Sequence, residues 1–88
     1  MILHLGGDIA VPLKDIIAIF DVHSTLKSDV NREFLEVARE EGFIKEVSKG
    51  EYKTFVLAET NNRTAIYLSS ISSATLLKRS GLYGNVST

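Results

Sequence analysis

Residues Ile16-Ile-Ala-Ile-Phe20 form an unbroken apolar run of β-branched and aromatic side chains. Such a run, without polar alternation, reads as a strand in the middle of a sheet with both faces covered. It demands partners on either side, and the neighbouring sequence supplies them. Ile2–Leu5 is a short apolar strand closed by Gly6-Gly7-Asp8, a hairpin turn, from which Ile9-Ala-Val11 returns. Pro12 cannot donate to a ladder, so that returning strand must lie at an edge or end there.

The clearest helix is Asp29–Glu41. Ser28 is its N-cap, Asp29 favours the positive end of the dipole, and Gly42 is a natural C-terminal stop. Val30, Phe34, Val37 and Ala38 recur at helical spacing, with Leu35 widening the stripe, so this helix is expected to cover one face of the sheet. Arg32, Glu36, Arg39 and Glu40 take the other side. Phe43–Val47 reads as a strand, followed by a turn at Ser48-Lys49-Gly50-Glu51. Tyr52–Ala58 and Thr64–Leu68 form a hairpin about Asn61-Asn62, both tolerant of the left-handed region. Ser72–Arg79 is a short closing helix, capped by Ser72 or Ser73, with Lys78 and Arg79 suiting its C-terminal dipole. The fold class is α+β: a mostly antiparallel sheet with one main helix and a short C-terminal helix. Residues 1–80 form a single domain, and the glycine-rich and polar residues 81–88 are expected to be a flexible tail.

With 88 residues, such a domain buries a modest share of its apolar surface and is marginal alone. There are no cysteines, which excludes disulfides, thiolate metal sites and cysteine nucleophiles, and fits a reducing compartment. No apolar run approaches the ~18 residues needed to span a bilayer. Met1–Asp8 has neither a basic leader nor a long apolar stretch, so no secretion signal and no membrane partner are expected; the location read from this is cytoplasmic. An apolar content of 44% is high for so small a domain, and open sheet edges invite pairing with another copy. Tyr52, Tyr67 and Tyr83 are candidates for such an interface.

The chain is poor in catalytic equipment. Asp21-Val-His23-Ser24 contains the residue types of a triad, but adjacency does not position them, and no G-x-S-x-G elbow accompanies them. His4 with Asp8, or His23 with Asp21, could ligate a metal only if the fold joined them. Gly6-Gly7 lacks the lysine and serine of a phosphate loop. We therefore expect no enzyme activity and no cofactor. The net charge of −1 hides a polarity: residues 1–43 carry four Lys/Arg against eight Asp/Glu, and residues 44–88 carry six against three. A polyanion would prefer the second half, where Lys45, Lys49 and Lys53 surround one turn, with Lys14 or Arg63 near in the fold.

His4-Leu-Gly-Gly-Asp8, Val11-Pro-Leu-Lys-Asp-Ile-Ile-Ala-Ile-Phe-Asp21, Lys53-Thr-Phe-Val56 and Tyr67-Leu-Ser-Ser-Ile-Ser-Ser-Ala-Thr-Leu-Leu-Lys-Arg79 are similar, in order, to the Rem-type regulators of extracellular-matrix (biofilm) genes. The RemB branch is the nearest in character, and the resemblance covers about residues 2–80. It implies an oligomeric bacterial transcription regulator with a fold like the LytTR-type DNA-binding domains, whose RemA relatives form rings and present basic side chains to double-stranded DNA. Those relatives place an arginine shortly before the central strand, where Lys14 stands here. They place an arginine pair in the later turn, where this chain has Gly50-Glu51 between Lys49 and Lys53. The resemblance thus assigns DNA contact to Lys14, Lys49 and Lys53. A lysine is a point charge rather than a bidentate fork, and Glu51 opposes phosphate. The alternative reading is an oligomeric protein-interaction module that regulates without touching DNA.

Overall fold

The computed structural model describes residues 1–47 and 50–81. Its chain begins with a hairpin of β1 (Ile2–Gly6) and β2 (Ile9–Pro12), followed by a 3-10 turn at Leu13–Asp15. Next come β3 (Ile16–Asp21), a one-turn helix α1 (Val22–Thr25) and the main helix α2 (Asp29–Glu40). β4 (Ile44–Glu46), β5 (Thr54–Thr60), β6 (Arg63–Ser69) and α3 (Ser73–Ser80) complete it. The expected α+β class holds. β1 and β2 pair with each other, while the other strands form one sheet in the order β3-β5-β6-β4. Its β3–β5 and β5–β6 pairings are antiparallel and β4–β6 is parallel.

Local chemistry explains most of the boundaries. Ser28 Oγ accepts the Asn31 amide at 3.3 Å and starts α2, and Ser72 Oγ accepts the Thr75 amide at 3.2 Å and starts α3. Asn61 and Asn62 both take positive φ, 51° and 65°, as the tight β5–β6 turn requires. In the β1–β2 turn Gly7 has φ 53°, and a Cβ there would stand 2.9 Å from the Val47 carbonyl oxygen. Only glycine suits both demands. Pro12 is the last residue of β2, where its missing N–H costs no ladder bond.

Because side chains alternate along a strand, the sheet carries two apolar clusters. Val56 and Ala58 of β5 pack with Leu3, Leu5, Val11 and Leu76, placing the hairpin and α3 over one face. Phe55, Ile66 and Leu68 pack with Ala38, placing α2 over the other. Two buried hydroxyls join the layers at the end of β6. Ser69 Oγ donates to the Leu5 carbonyl at 2.6 Å and accepts the Ile71 amide at 3.1 Å. Thr54 Oγ1 donates to the Ile71 carbonyl at 2.6 Å.

Two expectations are corrected. The run Ile16–Phe20 is a strand, but an edge strand: among the described residues β3 pairs only with β5, and Ile17 and Phe20 are 58% and 44% exposed. A register shift between Ile16 and Ala18 turns Ile17 out of the ladder. Hydrophobicity reports affinity for an apolar surface and not how many strands stand alongside. The α2 stripe is also covered only along one side. Ala38 is buried and Leu35 half-buried, whereas Val30, Phe34 and Val37 are 73%, 57% and 56% exposed.

Replacing Ser69 by Ala leaves the Leu5 carbonyl and the Ile71 amide without their buried partner. The expected cost is about 1–3 kcal/mol of folding free energy. Urea unfolding followed by circular dichroism measures it, and an unchanged midpoint would show that water replaces the hydroxyl.

Candidate nucleic-acid interface

The three lysines assigned to DNA meet different fates in the fold. Lys14 lies exposed in the 3-10 turn between β2 and β3. The turn is tied down on both flanks: the Leu13 amide donates to the Met1 carbonyl at 3.0 Å, and Thr60 Oγ1 donates to the Asp15 carboxylate at 2.8 Å. Lys53 lies exposed immediately before β5. Its amide donates to the Ser69 carbonyl and its carbonyl accepts the Val22 amide, both at 2.9 Å, so its backbone is held between the end of β6 and the start of α1. Lys49 lies outside the described residues, as do Tyr83 and the rest of residues 82–88.

The fold does not bring Lys14 and Lys53 together. Asp21 stands opposite Thr54, while Asp15 bonds Thr60 at the far end of the same ladder. The seven residues of β5 therefore separate the two lysines by roughly 20 Å at the usual rise per residue. Arg63, opposite Thr60 in the β5–β6 ladder, shares the Lys14 end. Lys45 is neither beside Lys14 nor beside Lys53 in register; it stands next to Tyr67. The cations are spread over the surface, a distribution suited to separate phosphates rather than to one bound anion.

Tyr52, just before β5, interacts with Glu46 at the end of β4. Partial burial, then the adjacent Glu46 carboxylate and a hydrogen bond to it, hold the Tyr52 phenol above its ordinary range. Glu51 is exposed between the two lysine positions.

Among the residues with a catalytic look, one has a backbone role. Asp21 caps α1, its carboxylate accepting the Ser24 amide at 2.9 Å. That bond, ahead of a smaller side-chain bond from Ser24 and the charge of His23, holds the Asp21 carboxyl below its ordinary range. His23 is exposed in α1, not in a loop, and His4 is exposed in β1. Among the described residues no group of His, Asp and Glu is gathered as a metal would need, and no helix is long and apolar enough to cross a membrane.

Two cavities were not legible in the sequence. A groove of about 260 Å³ runs between α2 and the sheet, lined by Phe20, Phe34, Leu35, Phe55, Leu57 and Ile66 among others. A broad cleft of about 1010 Å³ lies at the β4–β6 edge, where Phe43, Ala65 and Tyr67 meet Lys45 and Arg63. It exists because β4 joins β6 in parallel, a pairing that local sequence does not announce.

Set against protein families, residues 2–79 match the RemA-like family, the extracellular matrix regulatory protein A-like proteins. The chain belongs to that family of matrix regulators. No curated protein sequence matches it.

The Asp21 cap gives a pH test. An aspartate whose carboxyl is depressed in the folded state contributes order that is present above its unfolded pKa and is lost as pH falls through the folded value. The Ser24 amide shift should hold constant at neutral pH and move toward its unfolded position only below about pH 4. Asp21→Ala should abolish that transition, whereas an unaltered titration in the variant would remove the cap from its cause.

Proposed function

We propose that this chain is a RemB-like, cytoplasmic, homo-oligomeric transcription regulator of extracellular-matrix genes that contacts double-stranded DNA through Lys14, Lys49 and Lys53. The family match along residues 2–79 carries the regulatory reading. The DNA contact is supported by the exposure of Lys14 and Lys53 on backbone pinned to the sheet at both places. Backbone held in this way spares the cost of ordering the chain on binding, and phosphate contact needs no base-edge geometry.

Charge makes assembly part of the mechanism. One copy has a net charge of −1 and offers three lysines to a polyanion. Counterion release scales with the number of phosphates neutralised, at about 0.9 per phosphate in the slope of log affinity against log salt. Several linked copies turn weak contacts into an effective concentration problem, which multiplies affinity without any new contact chemistry.

A second reading is an oligomeric module that regulates through protein partners. The exposed carboxylate of Glu51, set between Lys49 and Lys53, and the overall acidic balance favour it. Binding to duplex DNA between about 50 and 300 mM salt separates the two. The DNA reading expects affinity to fall steeply with salt, and Lys49→Glu with Lys53→Glu to abolish binding and regulation together. Regulation that survives both reversals, or no binding at low salt, would establish the protein-partner reading instead.

A further inference from the structure

Leu35 and Phe55 line a second opening besides the groove they share with Phe20 and Phe34. It has a volume of about 450 Å³, within the range of small-molecule sites, and lies where α1, α2 and the sheet meet. Val22, Ile44, Phe55 and Leu68 give it an apolar interior, and the last two are buried. The two openings differ in charge. Among the described residues, no charged side chain lines the groove of Phe20 and Phe34, whereas Glu36 and Arg39 both line this one.

Glu36 and Arg39 are exposed and stand three residues apart on α2, a spacing that sets their Cβ atoms about 5–6 Å from each other on one face. Yet they do not pair. Among the described residues the ion pair of this helix is Arg32 with Asp29, two turns earlier. Tyr52 borders the same opening, but its hydroxyl is engaged by Glu46, so it serves as wall and not as a free donor. The opening thus presents one carboxylate and one guanidinium above an apolar interior. An acid with an apolar tail would meet Arg39 but stand beside Glu36, where like charges repel, and an amine would meet the reverse conflict. A molecule carrying both charges close together, with an apolar branch, satisfies both groups.

We propose that this opening binds a free α-amino acid with an apolar side chain, its carboxylate on Arg39, its ammonium on Glu36 and its side chain against Val22, Ile44, Phe55 and Leu68. The planar fork of a guanidinium matches a carboxylate with two parallel bonds, and an ammonium offers donors to a glutamate. Burial of the side chain supplies affinity, while the two charges fix the orientation and reject molecules that lack either. The site uses none of Lys14, Lys49 and Lys53, so the assignment goes beyond the proposed function and does not rest on it.

Titration calorimetry of the full chain tests it, with L-leucine, L-methionine and L-phenylalanine as probes. At least one should bind saturably. For leucine the comparison set is leucinamide, which lacks the carboxylate, 4-methylpentanoate, which lacks the ammonium, and glycine, which lacks the side chain. Each should bind at least about tenfold more weakly, the loss expected for one charged hydrogen-bonding group or a buried side chain. Arg39→Gln should erase the advantage of leucine over leucinamide, and Glu36→Gln its advantage over 4-methylpentanoate. Both positions are exposed, and circular dichroism checks that the variants fold; the analogue series on the wild type decides even without them. No binding of any of the three amino acids at millimolar concentration overturns the proposal. So does 4-methylpentanoate binding as tightly as leucine, which would give the opening to a simple apolar acid, or leucine binding that neither variant alters.

Discussion

Since successive side chains of a strand point to opposite faces, β5 and β6 have to serve two cores at once. Val56 and Ala58 are committed to the hairpin and α3, Phe55, Ile66 and Leu68 to α2, and none of them can be moved by one register position without exchanging its core. The β5–β6 ladder therefore dictates where everything else sits. Thr54 and Ser69, opposite each other at its end and both fully buried, fasten this floor to the chain on either side of it. Their hydroxyls satisfy the backbone of Leu5 and Ile71, so the polar bonds and the apolar layer enforce the same arrangement.

The two faces are unequally finished. The hairpin and α3 bury their apolar residues well, with Leu3, Leu5 and Leu76 all essentially inaccessible. On the opposite face a single helix, touching down through Ala38 and Leu35, covers a four-stranded sheet. One helix is narrower than the sheet beneath it. Grooves consequently remain beside α2, and the outer part of its stripe has nothing to lie on. This asymmetry leaves apolar surface uncovered on a regular, well-anchored element.

The same ladder also sets the exposed lysines apart. Lys14 and Lys53 lie at opposite ends of the β3–β5 ladder, and the β4–β6 edge shares the Lys14 end through Thr60 and Arg63. A protein of small net charge gains most on a polyanion when several copies are linked, since each copy adds only a few phosphate contacts.

Much of this was legible in the chain. Ser28, Ser72, Gly42 and Asn61-Asn62 announce helix starts, a helix stop and a turn through local backbone chemistry, and each does so where expected. The separation of chemistry-bearing residues was partly legible too: that Asp21, His23 and Ser24 are adjacent says little, and the fold uses Asp21 as a cap. What local chemistry does not encode is who stands beside whom. Ile16–Phe20 reads as a fully covered strand, yet β3 ends the sheet. Val30, Phe34 and Val37 read as core, yet the helix leans on its other flank. Lys14 or Arg63 is expected near the turn that Lys53 borders, yet the whole of β5 lies between Lys53 and the end that Lys14 and Arg63 share. The sequence by itself determined the elements, their ends and the family, because these depend on contacts a few residues long and on patterns carried by the chain. Only the tertiary structure decided which apolar surfaces are used and which remain, because that depends on strand order and on the width of a helix against a sheet.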